Sequence, residues 1–287
     1  MIASPCIGIC RIDERSGLCL GCARTGDEIA MWGEMPQNGR QSVWVELPER
    51  RKNLGLNIHR LNWETQDIQS FVSETLRPGG TWITGVLGAV AEFSLGEDEV
   101  CEIETDANLL RAFSPRGAIS FHIGENLRAL SFGSMSRQEI IVLALPRSEA
   151  KSFPGEGLVC LGPDRAAIRE GARDEILYDF GLGRRSAGFG IRTACPDLIA
   201  RLDGANGLDW RQFLPSIGTD IQRASPTRVV RNAIGRIEVF TTIPPPNGKS
   251  PAGPHTHLLP AYLIEGSDVP SKIDMPEGYV ACATYYP

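Results

Sequence analysis

Apolar positions recur along this chain with two periods, and the change from one to the other falls near residue 80. Before it the spacing is helical. Thr25 and Glu28 stand at the separation of a capping box, in which the hydroxyl accepts from the third backbone N–H while the carboxylate reaches back. This predicts a helix from Gly26, with Ile29 and Trp32 on one face and Met35 following, ended by Pro36. A second helix is expected over Gly39 to Leu47, where Val43 and Leu47 are four apart, and Pro48 should then bend or break the chain. Residues 53–62 read as a connector. Trp63 to Arg77 reads as an amphipathic helix, with Ile68, Phe71, Val72 and Leu76 on one stripe and Pro78-Gly79-Gly80 as its stop.

After residue 80 the period shortens to two. Thr81 to Phe93 is a β-prone run, and Cys101 and Ile103 alternate with Glu102 and Glu104. Ile119, Phe121 and Ile123 alternate in the same way, and Leu127 to Gly133 with Glu139 to Leu145 continue an antiparallel meander. Short strands are expected at Leu158 to Leu161, Glu175 to Phe180 and Phe189 to Thr193, with a last long strand region over Val229 to Thr242. Helices are expected at Pro163 to Ala172 and Pro196 to Leu202. Strands outnumber helices without alternating regularly with them, so the expected class is α+β. The expected organisation is a small metal-tied helical module, residues 1–57, followed by a larger domain with a mainly antiparallel sheet, residues 60–287.

The first region has few apolar residues for a core: Ile7, Ile9, Leu18, Leu20, Ile29, Trp32, Val43 and Leu47. Domains that small need a tie, and metal is a usual one. The chain provides the means. Four of its eight cysteines, Cys6, Cys10, Cys19 and Cys22, lie in a C-x3-C-x8-C-x2-C arrangement. Two close pairs joined by a short loop bring four soft thiolates toward one point, which suits zinc or an iron–sulfur cluster. The spacing is that of compact zinc knuckles and differs from the ferredoxin runs. A pair of disulfides is the competing use. Arg11 and Asp13 arrive too early for an export leader, so a reducing cytoplasm is expected, which weighs against disulfides.

The segments SPCIGIC, GLCLGCARTGDEIAMW and LPERR resemble a bacterial four-cysteine domain of unknown function, usually described as a predicted iron–sulfur protein. The cysteine spacing, the SPC opening, the C-x-G-C-x-R-T segment and the E-I-x-x-W helix all match, over about residues 1–55. The resemblance implies an iron–sulfur cluster at Cys6, Cys10, Cys19 and Cys22, with zinc as the alternative, and brings no established reaction.

Other chemistry is sparser. His255 and His257, half of the chain's four histidines, lie two apart in a proline-bounded stretch. In an extended segment both imidazoles point the same way and can approach one metal or one anionic substrate, with His122, Glu92 and Asp179 as possible third ligands. Gly181-Leu182-Gly183 with Arg184-Arg185 reads as a tight turn with exposed arginines, or as a phosphate or carboxylate cradle. Arg50-Arg51-Lys52 reads as a solvated helix end. Cys101 and Cys160 are expected to be buried apolar residues. Cys195 and Cys282 have no neighbour in sequence that would activate them as nucleophiles.

The net charge of −6 gives no broad surface for nucleic acid, and no apolar run approaches bilayer length. The expectation is a cytoplasmic metal-binding accessory, redox or sensing protein whose partner is a protein or a small molecule. A zinc-stabilised interaction module and a metalloenzyme working at His255 and His257 are the alternatives.

Overall fold

The structure, a computed structural model, describes residues 2–133, 139–150, 153, 156–182, 186–245, 248–249, 251–259, 263 and 273–287. The cysteine loop leads into α1 (Gly26–Ala30), α2 (Gln37–Leu54), β1 (Ile58–Arg60) and α3 (Thr65–Thr75). Next come β2 (Thr81–Val86), β3 (Ala89–Ser94), β4 (Glu102–Asp106), β5 (Leu109–Phe113), β6 (Gly117–His122), β7 (Arg128–Phe132) and β8 (Ile140–Pro146). After them follow β9 (Val159–Pro163), β10 (Ile176–Asp179), β11 (Ala187–Thr193), α4 (Pro196–Asp203) and α5 (Trp210–Ala224). The chain closes with β12 (Thr227–Asn232), β13 (Gly235–Val239), β14 (His255–Leu258) and β15 (Tyr279–Tyr286).

The strands form two antiparallel sheets. The first runs β1-β7-β8-β15-β2-β3-β14, the second β4-β5-β6-β13-β12-β11-β10-β9. β2 and β3 of the first pack on β11, β12 and β13 of the second. Trp82, Phe93, Phe121, Tyr178 and Ile237 are buried in the resulting core. α3 packs on that core through Ile68, Val72 and Leu76, and Trp82 Nε1 donates to Thr75 Oγ1 at 3.1 Å. A polar tie joins the sheets: the Asn232 amide donates to the Cys282 carbonyl at 2.6 Å and to Thr84 Oγ1. Few helices beside two large antiparallel sheets make this an α+β fold, as the pattern predicts.

The capping box forms as expected, with Glu28 N donating to Thr25 Oγ1 at 3.1 Å and Thr25 N to Glu28 Oε2 at 2.9 Å. Elsewhere local signals are overridden. α2 runs straight through Pro48, because Val43, Trp44, Leu47 and Arg51 bury one continuous stripe whose packing outweighs the lost hydrogen bond. The connector contains β1, paired with β7 at Ile58↔Phe132. The run from Thr81 is a hairpin, β2 against β3, and the last long strand region is a second hairpin, β12 against β13. Pro163 to Ala172 is not an α-helix. Residues there wrap a buried ion cluster, with Ile168 N donating to Glu238 Oε1 at 3.1 Å, and only Glu170–Ala172 turns, as 3-10 helix.

That cluster is the most polar part of the interior. Arg192 meets Asp164 at 3.0 Å and Glu238 at 2.9 Å, and Arg236 meets Asp164 at 2.6 Å and Glu238 at 3.1 Å. Two guanidiniums and two carboxylates thus compensate one another away from water.

The N-terminal region is docked on the outer face of the first sheet. Residues 3–7 thread between α2 and that sheet. Trp44 Nε1 donates to the Ala3 carbonyl at 2.9 Å, Arg60 to the Ser4 carbonyl at 2.7 Å, and Tyr279 OH to the Cys6 carbonyl at 3.4 Å. Ile7 is buried among Leu130, Phe132, Val142 and Ala144.

Candidate metal centres

The cysteine loop is built from tight turns. A bridge between Ile12 and Cys19 closes its β-like ends, and Gly17 N donates to the Asp13 carbonyl at 2.9 Å. Backbone N–H groups are aimed at sulfur: Gly8 N to Cys6 Sγ at 3.3 Å and Gly21 N to Cys19 Sγ at 3.4 Å. Gly21 lies so close to Ile9 that a Cβ there would run into the Ile9 carbonyl, so this turn needs glycine. Such N–H donors favour thiolate over thiol.

Cys19 and Cys22 are buried, Cys6 is half-buried, Cys10 is exposed, and all four are free thiols. Cys6, followed by slight burial and Cys19, raises the pKa of Cys10, as neighbouring thiolates would. Among the described residues no three of these sulfurs lie within 4.8 Å of one another.

Two arginines that the sequence reading does not place at the site stand against Cys22. Arg24 is 3% exposed, and its Nε donates to Cys22 Sγ at 3.4 Å. Arg51 is 7% exposed, lies over the Trp44 ring at 5.4 Å, and has neither Nε nor NH2 hydrogen-bonded. Burial lowers its pKa to about 10, opposed by Cys22. The triplet at the end of α2 is therefore no solvated helix end. Arg50 pairs with Glu28 at 2.7 Å and with Glu46, and Arg51 turns inward. The legible clue was the i, i+4, i+8 series Val43, Leu47, Arg51.

A second group forms where β14 pairs with β3, His255 opposite Glu92. His255 Nε2 lies 3.0 Å from His257 Nε2 and 3.5 Å from Glu92 Oε2, and His257 Nε2 lies 3.1 Å from Glu92 Oε1. Among the described residues this is the set of three ligand-type side chains whose atoms gather within 4.8 Å. Hydrogen bonding to His257 holds the Glu92 carboxyl below its ordinary value, and the same bond raises the His257 imidazole. Of the possible third ligands, Glu92 is the one brought to the histidines. His122 lines a different cavity on the second sheet, and Asp179 is buried against Arg231.

Beside β14 lies a cavity of about 280 Å³ between α5 and β11, walled by Phe180, Phe189, Leu214 and Ile221, with His255 and Arg228 also in its lining. The sequence reading assigns no helix here, yet the capping box, Asp209 with Gln212, and the spacing of Phe213, Ile217 and Ile221 mark α5 despite Pro215 within it. Arg228 is 4% exposed and donates to the Pro226 carbonyl at 2.8 Å and to Thr241 Oγ1 at 2.9 Å, while its Nε has no partner. Among the described residues no carboxylate pairs with it, and burial lowers its pKa to about 10. The larger cavity containing His122 is lined by several arginines, but Arg165, Arg173, Arg231 and Arg236 each already hold a carboxylate partner.

The remaining cysteines divide. Cys282 is buried, its thiol pushed up to about 12, which removes it as a nucleophile. Cys101 is half-buried, its thiol pushed up to about 11 by burial, and Cys160 is exposed, contrary to the expectation of burial for both. Cys195 is exposed at the start of α4. Of the Gly181 to Arg185 cradle, residues 183–185 lie outside the described residues.

The chain belongs to DUF6925, a family of unknown function, which matches residues 67–287. Residues 4–51 match a second family, DUF1289, described as a protein of unknown function. The uncharacterized protein YdhL of Escherichia coli O6:H1 (strain CFT073) is 48% identical over 59 residues, 21% of this chain and 72% of YdhL. YdhL of Escherichia coli K12 is 48% identical over 42 residues, 15% of this chain and 52% of its own length. No solved structure matches the chain. Among the described residues no helix is long and apolar enough to cross a membrane.

Proposed function

We propose that this is a cytoplasmic metal-binding accessory protein, with Cys6, Cys10, Cys19 and Cys22 as ligands of one thiolate centre in a redox or sensing role. The observation that carries this reading is the buried cationic collar. Arg24 and Arg51 bring two guanidiniums to Cys22, and Arg51 leaves two donor nitrogens without partners. An uncompensated buried charge is costly, and a four-thiolate centre around a divalent ion is dianionic, which is the charge the collar lacks. The N–H donors at Cys6 and Cys19 fit the same anion. When bound, an iron–sulfur cluster would supply one-electron chemistry, while zinc would supply structure alone. The iron–sulfur reading follows the resemblance of the cysteine segment, and zinc is its competitor.

Metal analysis and visible absorption of anaerobically purified protein test this reading. A brown sample containing iron and sulfide supports the cluster, and a colourless one containing zinc supports the alternative. In either case each single Cys→Ser change should release most of the metal, while Cys101→Ser and Cys282→Ser retain it. Full retention in Cys22→Ser would overturn the reading.

For the larger domain, Arg228 favours a small-molecule role. A largely apolar cavity with one buried, unpaired guanidinium fits a ligand with an apolar body and one carboxylate. Octanoate should raise the unfolding temperature and octanol should not, with the effect lost in Arg228→Gln. Equal effects of acid and alcohol would reject it.

A further inference from the structure

The cluster at the β3–β14 pairing has a geometry that hydrogen bonding alone leaves incomplete. The Gly253 carbonyl, 2.7 Å from His255 Nδ1, can only accept, so Nδ1 carries a proton. In the neutral ring this leaves a lone pair on Nε2, facing His257 Nε2 and Glu92 Oε2. A single N–H on His257 Nε2 then serves both Glu92 Oε1 and His255 Nε2, and nothing bridges the 3.5 Å between His255 Nε2 and Glu92 Oε2. Two acceptors thus share one proton, while His255 Nε2 and Glu92 Oε2 face each other as lone pairs.

Spacing supports a different occupant. A metal about 2.1 Å from each of three donors sets those donors about 3.0 Å apart at right angles and about 3.4 Å apart at tetrahedral angles. The imidazole nitrogens are 3.0 Å apart and each faces its own carboxylate oxygen, His257 at 3.1 Å from Oε1 and His255 at 3.5 Å from Oε2. The nitrogens and the carboxylate thus stand at the spacing of ligands around one ion, with one donor atom from each residue within 4.8 Å of the others. The Nδ1–H bond to Gly253 is the outer-shell contact that fixes a ligating imidazole in its tautomer and orientation. The strand pairing does the rest, since His255 and His257 fall on one face of β14 and Glu92 sits directly across on β3. All three are partly buried, at 15%, 30% and 25% exposure, so an ion has an entry path.

We propose that Glu92, His255 and His257 form a binding site for a divalent first-row transition metal, separate from the cysteine centre. Two imidazoles and a carboxylate occupy one side of the ion and leave its remaining positions open for water or a small ligand. His255 also belongs to the wall of the Arg228 cavity, so these open positions adjoin a binding space. The proposal does not depend on what the cysteines bind.

Cobalt(II) added to the full chain tests it, because its spectrum distinguishes donor types. A nitrogen and oxygen site gives weak visible bands, whereas thiolates give intense sulfur-to-metal charge transfer. The expected result is saturable uptake producing the weak bands, abolished in His257→Ala and weakened at least about tenfold in the isosteric Glu92→Gln. Any thiolate bands should be the same in all three proteins, and zinc should raise the unfolding temperature of the natural chain more than that of Glu92→Gln. Absence of the weak-band uptake in the natural chain, or equal affinity in the natural chain and Glu92→Gln, would overturn the site. Uptake seen only through thiolate bands would likewise overturn it while leaving the cysteine centre standing.

Discussion

Cys19 and Cys22 are held by a loop whose ordering contacts are local turns, while Glu92 and His255 face each other across a strand pair inside a seven-stranded sheet. The surroundings differ as much as the scaffolds. Around the cysteine loop the local core is Ala23, Val43, Trp44 and Leu47, and the loop's own Ile7 is spent on the neighbouring sheet. The sandwich has Trp82, Phe93, Phe121, Tyr178 and Phe213 among its fully buried side chains. A region with so little apolar burial cannot offset chain entropy of about 1–2 kcal/mol per residue without a tie. The sandwich can, and so it has room to gather donors on a frame that stands without them. One region should therefore need its metal to fold, and the other should fold first and bind afterwards.

The largest test treats the full chain with a chelator. Chelation should withdraw on the order of 10 kcal/mol of folding free energy from the cysteine region. Hydrogen exchange should then rise in residues 2–35 while β2, β8 and β15 keep their protection. Rise in both regions would make them one cooperative unit, and rise in neither would show that the loop stands by its turns.

The converse test strikes the sandwich. Glu238→Gln removes a charge that Arg192 and Arg236 both use, at 0% exposure. Breaking such a buried pair costs about 3–5 kcal/mol, to be read from urea unfolding, with the metal content of folded protein unchanged. A loss below about 1 kcal/mol would mean the cluster relaxes by admitting water.

Ile7→Ala tests the seam. It leaves a hole among Leu130, Phe132, Val142 and Ala144 and should cost about 2–4 kcal/mol. Because Ile7 follows Cys6 directly, the same change should speed metal loss. Stability lost without faster metal loss would separate docking from ligand binding.

What the sequence made legible follows the range of the interactions. The Thr25–Glu28 capping box, the stripe of α3 and the alternation of β6 depend on neighbours within a few residues, and they fold as read. Leu87-Gly88 closes a hairpin without the usual Asn-Gly or Asp-Gly signal, so β2 and β3 read as one run. Pro48 reads as a stop, but its helix is held by what it packs against. The same division holds at the sites. The cysteine spacing and the His-x-His pair are local and visible. Glu92 stood among three possible partners until strand pairing selected it, and Arg51 and Arg228 matter because each is buried with at least one donor nitrogen left unbonded, which no local pattern records.

The smallest effect lies at the junction and is set by pH. His59 stands on β1, the strand that follows the module and pairs with β7, and Arg51 of α2 and Glu139 both face it. Burial, reinforced by Arg51 and opposed by Glu139, lowers its pKa from 6.5 to about 4. The folded state thus prefers the neutral ring, and the unfolded chain takes up the proton first. The contribution of His59 is complete above pH 6.5 and is lost as pH falls toward 4. Each tenfold difference in proton affinity between the folded and unfolded chain corresponds to about 1.4 kcal/mol, so the full drop would be worth about 3 kcal/mol in a dry site. The ring's partial exposure and water access reduce the expected loss to about 1 kcal/mol. His59→Asn should remove this acid-side slope, leaving a difference from the natural chain that grows between pH 4 and 6.5 and is flat above. Protection in β1 should fall before that in β8. A slope unchanged by His59→Asn would move the acid sensitivity away from the junction and onto the carboxylates of the sandwich, reversing which region yields first.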